Sequence, residues 1–212
     1  MEKRNNEIVH LYGLNGLRAI AALSVLIEHV LSKEFGDFGA APIFKTSMAA
    51  FGVTLFFVIS GFLITFLLLK EQAIKPISIT KFYLRRVLRI WPIYYLFLLF
   101  SVIVFLLFKQ GNVFTSYVWW YLFFGANIPF IIGTGIPIIV HYWSIGVEEQ
   151  FYLFWPWVIK YLKNHLFFYS ILIFFIWFFC KLIFWILFGS ESIIYRVFQV
   201  TRFDCMMIGS IG

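Results

Sequence analysis

Charge is what this chain has least of. Only 13% of its 212 residues are Asp, Glu, Lys or Arg, where a soluble domain carries about a quarter. That scarcity excludes a disordered chain, which needs net charge and low hydrophobicity. Cysteine is scarcer still: Cys180 and Cys205 are the two in the chain, both in apolar sequence, so no secreted disulfide framework is implied. What fills the chain instead is grease. Hydrophobic residues make up 62% and aromatics 23%, with 29 phenylalanines. One soluble core of this size cannot hide so much apolar surface. The composition implies an integral membrane protein, all-α and polytopic.

Spanning the hydrocarbon layer takes about 20 apolar residues. Runs of that kind lie at roughly 14–32, 47–69, 90–108, 143–162 and 165–188, and a sixth begins near Phe203. The stretch 110–140 is uncharged too, but Gly111, Gly125, Pro129, Gly133, Gly135 and Pro137 interrupt it. It reads as a short interfacial or re-entrant piece near 113–135 rather than a regular span. The first run carries Arg18, Glu28 and His29 and is followed by no small-residue cleavage site, so it is expected to remain as a membrane helix rather than a cleaved signal. Met206 to Gly212 read as the opening turns of a further helix, and the chain as the N-terminal part of a longer domain covering 1–212.

The net charge of +7 is a topology signal before it is a nucleic-acid one. With the N-terminus inside, Lys3, Arg4, Arg18, Lys70, Lys75, Lys81, Arg85, Arg86, Arg89, Lys160 and Lys163 fall on the cytoplasmic side. Lys33, Lys45, Lys109, Lys181, Arg196 and Arg202 fall outside. The excess of positive charge inside supports that orientation.

Ionisable residues within a bilayer are costly, so each invites a functional hypothesis. Arg18 and His29 are separated by three helical turns, about 20° apart around the axis and about 16 Å along it. An imidazole there can act as general base, or it can be a buried histidine that only bonds a neighbouring helix. Arg85, Arg86 and Arg89 stand at the mouth of the third run. Guanidinium forks match phosphate oxygens, although anchoring to anionic lipid headgroups is an equally physical use. Glu148 and Glu149 open the fourth span. A helix N-terminus favours negative charge, yet at least one of the two must face an interior cation, a histidine or a water-filled cavity. The elbow, zinc and P-loop signatures of soluble enzymes are absent.

Four motifs then stand in order. They are Leu14-Asn15-Gly16-Leu17-Arg18 through His29, Phe57-Val58-Ile59-Ser60-Gly61-Phe62-Leu63, Arg85-Arg86-Val87-Leu88-Arg89-Ile90-Trp91-Pro92, and Trp143-Ser144-Ile145-Gly146-Val147-Glu148-Glu149-Gln150-Phe151-Tyr152. Together they resemble the acyltransferase 3 family of bacterial membrane acyltransferases. Asn15 stands where many members have aspartate, and Glu28 replaces a commoner apolar or aromatic residue. The resemblance implies a multi-pass protein of the bacterial inner membrane. It would transfer an acyl group, usually acetyl from acetyl-CoA, to a hydroxyl of a polysaccharide, lipopolysaccharide or exported oligosaccharide, with no metal and no nucleic acid. It implies His29, Glu148 and Glu149 as catalytic residues, and Arg18, Arg85, Arg86 and Arg89 as the donor-binding ones. A transporter, or a non-catalytic remnant of such an enzyme, are the competing classes.

Overall fold

In hydrocarbon a backbone must satisfy its own hydrogen bonds, and a helix does so within one segment. A computed structural model of the chain is all-α accordingly. It describes residues 13–34, 48–107 and 111–211. Lys3, Arg4, Lys45 and Lys109 of the charge pattern lie outside the described residues. Two compact units are distinguished, one ending at Ile59 and the other beginning at Ser60.

The first unit pairs α1 (Leu14–Glu34) with the opening turns of α2 (Met48–Ile74). Gly52 is the point of closest approach. A Cβ there would stand 2.5 Å from the Ala21 carbonyl oxygen and 2.9 Å from Val25 Cγ2, so no larger residue fits without moving α1. Glu28 has a structural occupation in this unit. Its Oε2 accepts the Ala49 N–H at 2.6 Å, satisfying one of the donors that a helix N-terminus leaves open and placing negative charge at the positive end of α2.

The second unit holds the remainder of α2 followed by α3 (Ile79–Leu107), α4 (Gly111–Leu122), α5 (Asn127–Ile131), α6 (Tyr142–Leu162), α7 (Leu166–Phe188), α8 (Ile193–Thr201) and α9 (Phe203–Ile211). Single 3₁₀ turns lie at Pro137–Ile139 and Lys163–His165. Among the described residues, α2, α3 and α7 are long and apolar enough to cross a membrane. Helices α1 and α6 have 21 residues each, about 31 Å at 1.5 Å per residue. They match the spanning length while carrying the ionisable side chains of interest.

Two boundaries differ from the sequence expectation. Helix α3 begins at Ile79 rather than near residue 90, so the arginines sit on its first turns. Helix α8 is an additional element. It is nine residues long and starts at an N-cap where Ser192 Oγ accepts the Tyr195 N–H at 3.2 Å.

The glycine- and proline-broken stretch is built as expected from short pieces. Helix α4 has 12 residues, about 18 Å of helix against roughly 30 Å of hydrocarbon. Its last carbonyls lack intrahelical partners, and tyrosines of α3 supply them. Tyr94 donates to the Tyr121 carbonyl at 2.6 Å and Tyr95 to that of Leu122 at 2.8 Å. Tyr142 of α6 donates to the Tyr94 carbonyl at 2.8 Å, and Tyr121 Oη accepts the Ile136 N–H at 3.0 Å. Burial raises the pKa of the Tyr121 phenol, and the Ile136 N–H acts against that shift. Gly146 of α6 lets the α4–α5 turn approach, since a Cβ would lie 2.7 Å from the Phe124 carbonyl oxygen. This tyrosine-laced wedge fixes where α6 begins, and so where its carboxylates stand.

Candidate functional site

In the first unit, Ala21, Val25 and Glu28 meet α2, and Arg18 and His29 lie about 20–40° around α1 from Val25. His29 Nδ1 lies 2.8 Å from the Val25 carbonyl oxygen, one turn back. A carbonyl only accepts, so Nδ1 carries the proton, and the neutral ring holds its lone pair on Nε2. The helix backbone thus selects the tautomer with Nε2 as the basic nitrogen.

In the second unit, the first turns of α6 gather the other predicted residues. Ser60 Oγ donates to Glu148 Oε1 at 2.7 Å, and the buried Tyr152 is within electrostatic reach of Glu148. Residues 148 and 152 share a helix face at i and i+4. The ring of Tyr152 carries Arg86, whose Cζ is 4.3 Å from the ring centroid, with Phe82 one turn earlier on α3 at 5.7 Å. Glu149 is within electrostatic reach of Arg86 and Glu148. Its Oε1 is buried with no hydrogen-bond partner among the described residues.

This arrangement is held from several sides. Gly61 makes room for α9, since a Cβ there would stand 2.0 Å from the Met206 carbonyl oxygen, and its neighbour Ser60 is thereby fixed. One to two turns further along α6, Trp155 Nε1 donates to Thr65 Oγ1 at 2.7 Å, a second polar tie between α6 and α2. Pro156 has no N–H, so the Tyr152 carbonyl loses its helical donor; beside it, the Leu153 carbonyl accepts the Tyr83 hydroxyl. Trp143 stacks on Phe130 with centroids 4.9 Å apart, and Ser144 donates to the His141 carbonyl at 3.0 Å. Those two motif residues shape the start of α6.

The three arginines have three different surroundings. Arg85 pairs with Glu71 at 2.8 Å, tying the end of α2 to the start of α3. Arg86 lies on Tyr152. Arg89 is exposed, shares a face with Arg86 at i+3, and is paired with no carboxylate among the described residues. The sequence already put Arg86 and Arg89 on one helix face at i and i+3, with Arg85 grouped beside them for donor binding. Glu71 and Tyr152 had no assigned role there, although the i+4 spacing from Glu148 to Tyr152 was visible.

A family model described as an acyltransferase domain matches residues 11–202. The chain belongs to the acyltransferase 3 family. Relatives of this membrane-embedded acyltransferase-family protein include the O-acetyltransferase OatA of Staphylococcus aureus strain NCTC 8325 / PS 47 and that of strain COL. Each is 34% identical over 168 residues, covering 73% of this chain and 26% of the relative. The chain thus spans about a quarter of the length of these relatives. No solved structure matches.

Proposed function

We propose that the protein is a membrane O-acyltransferase that takes an acyl group, acetyl in the first instance, from acyl-CoA and delivers it to a carbohydrate hydroxyl. The resemblance to O-acetyltransferases supports the reaction class. The observation that carries the reading is the partly buried cluster of Ser60, Arg86, Glu148, Glu149 and Tyr152, a set of polar groups that a bilayer protein keeps at a cost.

In this reading, Arg89 and Arg86 grip donor phosphates from the cytoplasmic side, and Arg18 holds the acyl donor or a carboxylate. Arg85 belongs to the same mouth and acts through its bond to Glu71. His29 Nε2 takes the proton of the acceptor hydroxyl as that oxygen attacks the thioester carbonyl; the carbon–sulfur bond breaks and the thiolate of CoA is protonated as it leaves. An equivalent route passes the acyl group through Nε2 itself. Glu148 and Glu149 orient polar groups and balance positive charge. The acceptor is a cell-envelope or exported glycan.

The test is acetyl-CoA binding and thioester cleavage by the purified protein in lipid nanodiscs, read by calorimetry and by released thiol. Saturable binding with thiol release that rises on adding glycan acceptor is expected. A protein that only moves solutes past such charges leaves the thioester intact, and that result overturns the proposal.

A further inference from the structure

In the third turn of α6, Gln150 makes bonds that nothing in the reaction outlined above uses. It lies about 12 Å along the helix from Tyr142, a depth at which an unpaired amide in a membrane protein is costly. Its partner is Asn127, which opens α5 and is 4% exposed. The two amides bond each other reciprocally. Asn127 Nδ2 donates to Gln150 Oε1 at 3.2 Å, and Gln150 Nε2 donates to Asn127 Oδ1 at 2.8 Å. Gln150 Nε2 also donates to the Phe124 carbonyl at 3.3 Å. Phe124 is in the left-handed region, with φ 56°, which a phenylalanine holds only where its surroundings fix it. Its ring packs on α3, with centroids 4.4 Å from Tyr94 and 5.5 Å from Trp91, and its carbonyl is held by α6. Gly146, one turn before Gln150, leaves room for that same carbonyl.

Gln150 lies about 40° around α6 from Gly146 and about 160° from Glu148, which accepts from Ser60 of α2 at 2.7 Å. Helix α6 is therefore tied on nearly opposite faces, by a carboxylate to α2 and by an amide to the α4–α5 turn. Glu149 stands between the ties. Two such ties fix the rotation of a helix about its axis, and rotation decides where Glu148 and Glu149 point. With the N-terminus inside, the α4–α5 turn faces the side opposite to the arginine mouth, the side of an exported acceptor. We infer that Asn127 and Gln150 are positioning residues: their amide pair holds α6 in the rotation that aims Glu148 and Glu149 at the acceptor half of the reaction. The inference rests on the acyl-transfer reading.

Stability and positioning separate in three variants. Gln150→Leu and Asn127→Leu each break the reciprocal bonds and leave the other amide buried without its partner. The Asn127→Leu/Gln150→Leu double variant removes both amides, so neither is orphaned. Tm in detergent should fall in each single variant and return toward wild type in the double. A pair of leucines has no direction, so the rotation of α6 does not return with it. In nanodiscs, calorimetry with CoA gives the donor Kd, and labelled acetyl transfer to isolated envelope glycan at saturating donor gives kcat and the KM for glycan. Donor Kd should stay within about twofold of wild type in all three variants, as for independent sites. The kcat/KM for glycan should fall roughly ten- to a hundredfold in all three, the cost of misplacing a reacting group by up to about 1 Å.

An amide pair that only stabilises the fold would give transfer that follows Tm, lost in the single variants and regained in the double. That pattern overturns the inference, and so does a donor Kd that rises in step with the loss of transfer. If the single variants fail to fold, the double variant decides alone: wild-type transfer overturns the inference, and lost transfer at unchanged donor Kd upholds it. Wild-type protein that binds no CoA and cleaves no thioester removes the acyl-transfer reading itself. That result is distinct from wild type that transfers acetyl while its variants merely follow Tm.

Discussion

Arg85 and Arg89 are four residues apart on one helix and carry the same charge, yet their surroundings predict different consequences of removal. Arg85 is bonded to Glu71 at 2.8 Å, with 55% of the Arg85 side chain exposed and 12% of that of Glu71. An ion pair this wet contributes about 0.2–1 kcal/mol. Losing it should shift the donor Kd by less than about fivefold, and Glu71→Gln should give the same small effect. Arg89 is the exposed arginine that shares a face with Arg86. If it holds a phosphate through a charge-assisted contact, Arg89→Ala removes about 1.5–3 kcal/mol, and an exposed mouth places it toward the lower end, near a tenfold rise in Kd. The assay is titration of acetyl-CoA and of acetyl-pantetheine, which lacks the nucleotide phosphates, into each variant. Arg89→Ala should lose affinity for the first and not for the second. A loss in Arg85→Ala as large as in Arg89→Ala, or a loss that extends to acetyl-pantetheine, would refute the division of roles.

Other expectations are narrower. Gly61→Val forces a side chain into the Met206 carbonyl and should destabilise the protein by about 1–3 kcal/mol, the usual range for overpacking, seen as a lower melting temperature in detergent; an unchanged melt would mean that α2 and α9 do not pack this closely. Glu28→Ala removes the acceptor of the Ala49 N–H and should cost about 0.5–2 kcal/mol as a lost helix cap, whereas Glu28→Gln, which can still accept that bond, should recover most of it. A reporter fused after Lys75 should read cytoplasm; an outside location would move the arginine mouth to the wrong side for a CoA donor.

The apolar runs made most helices legible, because twenty apolar residues have few alternatives to spanning a bilayer. Where charge and helix coincide, hydropathy misleads. Residues 79–89 hold Lys81 and three arginines and fall outside the apolar run, but they form the first turns of α3. Helix α8 was hidden for a similar reason: nine residues with Arg196 and Gln199 among them produce no apolar run. The site was legible as a set of residue types and not as a set of partners. Ser60 and Glu148 are 88 positions apart, and Arg85 finds Glu71 across the α2–α3 turn; periodicity along one helix carries no information about such pairs. Glu28 is the converse case. It is next to His29 in sequence but points about 100° away around the helix, and its observed bond is to a backbone N–H of α2.

In the proposed reaction, the Nε2 lone pair of His29, selected by the Nδ1 bond to the Val25 carbonyl, takes the acceptor proton. The direct measurement is acetyl transfer from labelled acetyl-CoA to envelope glycan by the full-length protein carrying His29→Gln, at matched expression and with donor affinity measured in parallel. Glutamine keeps a hydrogen-bonding side chain and cannot take a proton near neutral pH. Transfer should fall by at least about 10²–10⁴, the contribution of a general base, with CoA still bound at close to wild-type affinity. Substantial glycan acetylation by the glutamine variant would contradict it.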